Sequence, residues 1–202
     1  ERRGAIDGFI RAWVLLLAAT LPACLVLSLF ATPLIGLVYG DVWLPSAGPL
    51  PYLAVLALAR VLGELVYDYL VALGRTRINF LIQGAWLAAL VPMLYLGART
   101  NGITGVAMGH AIVAVLFAAP ISAVALTRTG IPIRVIVRQA FRPVAGGALA
   151  AGAALAFLAV SPGRVTALTV GVCIAAVAYG AVVFPMWRMV GLRSEVGARS
   201  PR

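Results

Sequence analysis

Along the chain, hydrophobic residues gather in long runs, and short intervening stretches hold most of the charge. The runs cover residues 12–40, 49–73, 78–98, 103–127, 143–160 and 165–187. Each lies near the ~20 residues that carry a helix across a bilayer. None shows the two-residue alternation of a half-buried strand, and backbone groups in lipid must be satisfied within their own segment. The pattern predicts an all-α, polytopic transmembrane bundle of about six helices in one membrane domain over 1–202. The expected helices are near 10–38, 49–73, 78–98, 103–127, 143–160 and 165–187.

The segment 131–142 departs from its neighbours. Arg134, Arg138 and Arg142 recur every four residues on one helical face, while Ile133, Ile136, Val137, Ala140 and Phe141 take the other. This predicts a short amphipathic helix in the cytoplasmic interface, ended by Pro143, or a charged extension of the fifth helix. Pro22, Pro92 and Pro120 fall inside runs, where each frees a backbone carbonyl and serves either motion or packing. Gly146, Gly147, Ala150, Ala151 and Gly152, then Gly171, Ala175, Ala178 and Gly180, are spaced for close helix–helix approach.

Composition confirms the membrane class: 63% of residues are hydrophobic and 11% charged, with mean hydropathy +1.05. The net charge of +10 comes from sixteen arginines against six acids. In a soluble chain that excess suggests nucleic-acid binding. Here the arginines sit between apolar runs, as in loops that meet anionic lipid, and no nucleic-acid partner is expected. Arg2, Arg3 and Arg11 precede the first run; Arg75 and Arg77 follow the second; Arg128, Arg134, Arg138 and Arg142 follow the fourth; Arg188, Arg193, Arg199 and Arg202 close the chain. Only Arg99 and Arg164, with Asp41, occupy the other side, so both termini are expected in the cytoplasm of a multi-pass cytoplasmic-membrane protein. Trp13 and Trp187 mark the inner edge; Tyr39, Trp43, Tyr52 and Tyr95 mark the outer one. Cys24 and Cys173 lie in apolar runs and do not read as a disulfide framework.

Candidate chemistry concentrates in the second run. Arg60, Glu64 and Asp68 stand at i, i+4 and i+8, so they share a face and Arg60 can pair with Glu64. Arg60 falls roughly 15 Å from Leu50, near mid-membrane. A charge there costs about 2.5–3.5 kcal/mol, which makes a hydrated cavity the natural setting for this face. In that reading Arg60 meets an anionic substrate group and Glu64 or Asp68 takes part in coupling; in the plainer one, the three lock helices together. His110, the single histidine, either hydrogen-bonds across a helix interface or relays protons. Asn101 and Thr104 read as N-cap candidates for the helix that follows. Hydrolase, metalloprotease and Walker signatures are missing from the sequence, and one histidine without lysine leaves little acid–base equipment, so no enzyme, cofactor or metal is expected.

Three stretches carry a family resemblance. Leu37-Val-Tyr-Gly-Asp-Val-Trp43 followed by Leu44-Pro-Ser-Ala47, Val71-Ala-Leu-Gly-Arg-Thr-Arg77, and Gly102-Ile-Thr-Gly-Val-Ala-Met108 match in order and spacing over about 5–145. They resemble the C-terminal half of the polysaccharide-transport branch of the multidrug/oligosaccharidyl-lipid/polysaccharide exporter superfamily. The resemblance implies two bundles of six helices working by alternating access on a lipid-linked glycan. It also implies a missing N-terminal bundle of the same chain as partner, alongside membrane lipids. That agrees with a chain that starts at Glu1 rather than Met and reads as part of a longer protein. The resemblance assigns no role to Arg60, Glu64 or Asp68. A cation-coupled multidrug exporter of the same superfamily and a non-transporting scaffold for polysaccharide synthesis are the alternatives.

Overall fold

A computed structural model describes residues 2–160 and 163–198. Arg199 and Arg202 lie outside the described residues, as do the side chains of Arg2, Arg3, Arg164, Trp187, Arg188 and Arg193. The described fold is all-helical. The elements are α1 (Arg2–Leu29), α2 (Ala31–Val38), a 3-10 turn (Asp41–Ala47), α3 (Leu50–Ala72), α4 (Thr76–Val113), a π-helical turn (Ala114–Ala118), α5 (Ala119–Arg128), α6 (Ile133–Leu158) and α7 (Arg164–Ala198). Among the described residues, four stretches are long and apolar enough to cross a membrane: Gly4–Leu29, Leu50–Ala72, Thr76–Arg128 and Ile133–Leu158. Within α7, Leu168–Phe184 forms a shorter apolar helix.

α1 is the common wall, touching α3, α6 and α7. Its Pro22 has no N–H to offer the carbonyl of Ala18, four residues back. The hydroxyl of Tyr179 on α7 donates to that carbonyl at 2.8 Å, inside a buried cluster with Val14, Ala150, Ala154 and Ala175. This proline therefore serves packing. The expected single helix 10–38 is corrected: it divides at Phe30, where φ −103° and ψ 19° leave the helical region and Pro33 falls in the first turn of α2. Phe30 is fully buried against Gly171, where an added Cβ would sit 2.5 Å from its ring. Gly146 and Gly147 likewise admit Val182 of α7 and Leu21 of α1. Both cysteines are free, Cys24 buried and Cys173 exposed.

The 53-residue stretch Thr76–Arg128 folds back on itself. Asn101 (φ −134°, ψ 21°) and Gly102 (φ 55°, ψ −133°) leave the helix, and Gly102 takes a positive φ that glycine adopts without steric cost. The two limbs then meet glycine to backbone. A Cβ on Gly97 would overlap the Gly105 carbonyl, and one on Gly109 would lie 2.8 Å from the Met93 oxygen. Pro120 opens α5 directly after the π turn, which takes up the register change that its missing N–H imposes.

At one end of the bundle both turns close the same way. Gly74 (φ 68°) and Gly130 (φ 95°) follow α3 and α5, and the residue after each bonds back across the turn, Arg75 N–H to Leu70 and Ile131 N–H to Leu126. These are Schellman caps, with Ile131 buried beside Leu126 as the motif favours. Phe9, Ile10, Leu70 and Ile136 join that cluster, so the start of α1, the end of α3 and the start of α6 converge here. Arg11, Arg75, Arg77, Arg128 and Arg134 are exposed around it. The expected interfacial helix ending at Pro143 is also corrected, because α6 runs unbroken from Ile133 to Leu158. Pro143 is fully buried, while Gln139, whose carbonyl it frees, sits at an exposed position. Arg134, Arg138 and Arg142 are thus an exposed stripe on the first turns of α6.

Candidate functional site

A cavity of about 500 Å³ opens beside α3. It is walled by α3 (Arg60, Glu64, Tyr67), the first limb of α4 (Asn79, Gln83, Trp86), the second limb and α5 (Ala114, Ser122, Leu126), and α6 (Ile136, Phe141, Val144), with Trp13 of α1 contributing. Along α6 the lining extends over about 16 Å at 1.5 Å per residue, from the arginine-rich end to mid-bundle.

The two sides differ chemically. On the α3–α4 side, Arg60 Nη2 meets Glu64 Oε1 at 3.2 Å, and the side chains are 56% and 58% exposed. The Arg60 guanidinium stands 5.9 Å from the Trp86 ring centre, a cation–π arrangement. Asn79 is buried and donates from Nδ2 to the Tyr67 carbonyl at 3.0 Å, fixing the start of α4 against the end of α3. Arg60 and Glu64 are the charged residues of the lining. On the opposite side α6 presents Ile133, Ile136, Val137, Ala140, Phe141 and Val144, with Phe141 72% exposed. The α3–α4 wall thus carries the charged and amide groups among its apolar residues, whereas the α6 wall is apolar throughout.

Of the residues singled out by sequence, the structure brings Arg60 and Glu64 together. Asp68 lies on the same helix but outside the lining, and is exposed. His110 is not in the lining either: its ring packs 5.7 Å from Trp86, and its Nε2 is buried with no hydrogen-bond partner among the described residues. At Nε2 the expected interhelical hydrogen bond is not made, and the ring packs beside Trp86. Arg134, Arg138 and Arg142 are exposed outside the cavity.

Sequence reasoning missed Trp86, Gln83, Asn79 and Ser122. A signal was present: Trp86 and Gln83 stand in the middle of an apolar run, three residues apart, whereas tryptophan in membrane helices favours the interfaces. Among the described residues no cluster of His, Cys, Asp or Glu is arranged to hold a metal ion. Comparison of the chain with family models, with curated proteins and with solved structures finds no match.

Proposed function

We propose that this chain is one wall of a membrane transporter that flips a lipid-linked oligosaccharide or polysaccharide precursor across the cytoplasmic membrane by alternating access. One observation carries the reading: the cavity sets a cationic group against an apolar slide. Arg60, held over Trp86, would meet a phosphate of the head, while Val137, Phe141 and Val144 would accompany the lipid tail. No covalent step is needed for such a role.

In this reading the chain makes six crossings. The Asn101–Gly102 fold divides the long stretch into two, and α7 supplies the sixth. The arginine-rich end faces the cytoplasm with both termini, so the cavity opens inward. A second bundle, from the same or another chain, would close the far side.

A cation exporter of the same superfamily is favoured by a different detail, Glu64 in the same lining. That acid is engaged by Arg60 at 3.2 Å, whereas Arg60 keeps further N–H donors and the face of Trp86, which favours the anion reading.

The test is Arg60→Ala in the full-length protein, scored by surface export of the polymer with expression and membrane insertion checked in parallel. Loss of export at normal expression is the expected result. Normal export would remove Arg60, and with it the reading.

A further inference from the structure

We infer that Glu64 is a built-in stand-in for the ligand: its carboxylate holds the Arg60 guanidinium in the empty cavity and yields that place to the phosphate group of an incoming lipid-linked amphiphile. The inference rests on the reading of Arg60 as the anion-holding group and adds how the empty site is charge-balanced and how the ligand is released.

Four observations lead to it. Arg60 and Glu64 sit one turn apart on α3, so they can separate by side-chain rotation with no change in backbone. Their contact is a single nitrogen–oxygen approach at 3.2 Å, whereas a guanidinium carries five N–H donors in a fork that fits two phosphate oxygens. Both side chains are more than half exposed, so a ligand can reach them. Arg60 also has a second hold, the face of Trp86 at 5.9 Å, so the cation stays in place when the carboxylate leaves.

The surroundings suit the exchange. Among the described residues that line the cavity, the charges are Arg60 and Glu64, facing Trp86 and Gln83 of α4, Ser122 of α5 and the apolar residues of α6. The cavity lining thus holds amide and hydroxyl donors for a displaced carboxylate and no second cation. Empty, the pair is neutral, which lowers the cost of two charges within a membrane-spanning helix. Occupied, the phosphate takes over as counter-ion. Glu64 then stands as a waiting competitor that limits residence time, a property a transporter needs and a tight binder does not.

The experiment uses the full-length chain in phosphatidylcholine nanodiscs, titrated with dodecyl phosphate and read by tryptophan fluorescence. Inorganic phosphate serves as the headgroup-only probe and dodecyl maltoside as the uncharged one. Exposed ion pairs of this kind are weak, so Glu64→Gln is expected to tighten dodecyl phosphate binding roughly two- to fivefold and to slow its release. Glu64→Asp keeps the charge but shortens the reach to Arg60, and is expected to tighten binding by a smaller factor. Arg60→Ala is expected to weaken binding at least about tenfold, the cost of a lost charge-assisted pair.

The outcomes separate the two ideas. Arg60→Ala binding like the parent overturns the anion reading and the exchange together. Arg60→Ala weakened, with Glu64→Gln no tighter than the parent, overturns the exchange alone. Tightening in Glu64→Gln with none in Glu64→Asp reduces Glu64 to simple repulsion and also overturns it. The variant pattern seen with dodecyl phosphate alone supports exchange against a lipid phosphate; the same pattern with inorganic phosphate supports exchange against free phosphate.

Discussion

Tyr179→Phe removes one oxygen, and its effect should depend on residue 22, on another helix. The Tyr179 hydroxyl donates at 2.8 Å to the Ala18 carbonyl, which Pro22 leaves without its helical N–H. Tyr179 and Ala18 are both buried, 7% and 4% exposed, so no water replaces the lost donor. An orphaned buried carbonyl costs about 1–3 kcal/mol, while hydrogen bonds between membrane helices average about 0.6 and reach about 1.7 kcal/mol. The expected loss is therefore about 1–2 kcal/mol. In a Pro22→Ala background the new alanine N–H takes the Ala18 carbonyl, and Tyr179→Phe should then cost less than half as much. Reversible unfolding of the four variants in mixed micelles completes the cycle, with an expected coupling of about 1 kcal/mol. Equal losses in both backgrounds would refute the idea that Pro22 creates the acceptor that Tyr179 fills.

The remaining predictions concern the hairpin and the cavity. Gly97→Ala drives a methyl into the Gly105 carbonyl, while Gly84→Ala, on the same limb, meets nothing within 4 Å. The first should lose about 1–3 kcal/mol by overpacking and the second should gain up to about 1 kcal/mol of helix propensity, so their melting temperatures in detergent should differ by several degrees. Equal melting temperatures would mean that the limbs do not touch at Gly97. Trp86→Leu keeps an apolar wall but removes the ring under Arg60. Dodecyl phosphate binding should weaken by about 0.5–2 kcal/mol, up to thirtyfold, and an unchanged affinity would deny Trp86 any part in holding Arg60.

Much of the helical framework was readable because lipid imposes a length and a composition at once. The run 49–73 corresponds to α3, Leu50–Ala72, since Pro49 and Gly74 punctuate it at both ends. Breaks that depend on a neighbour were not readable. Phe30 leaves the helix while its ring fills a notch over Gly171, about 140 residues away in sequence, and no local pattern announces that partner. Pro143 signals a stop, yet the helix continues, because an exposed Gln139 carbonyl tolerates losing its donor. At the site, the i, i+4 spacing brought Arg60 and Glu64 together on paper and in space. Trp86 was not legible as their companion, because its place beside α3 depends on how the Gly74 turn brings the first limb of α4 back along that helix.

The three charges of α3 do not bear equal costs, and the inequality points to the same two residues as the cavity does. Measured from Ala72 at the arginine-rich end, Asp68 lies about 6 Å in, Glu64 about 12 Å and Arg60 about 18 Å. Asp68 is shallow enough for its exposed side chain to reach the interface, and it needs no partner to be tolerated. Glu64 and Arg60 are too deep for that, and each would cost about 2.5–3.5 kcal/mol if it faced lipid. They are the two that touch each other, and the two that line the cavity. Pairing lowers the cost and solvent in the cavity lowers it further, but an apolar pair of residues would have avoided it altogether. On the reading proposed above, a helix that keeps such a pair at that depth, beside a tryptophan and across from a greasy wall, is spending stability on a place for a charged group to stop.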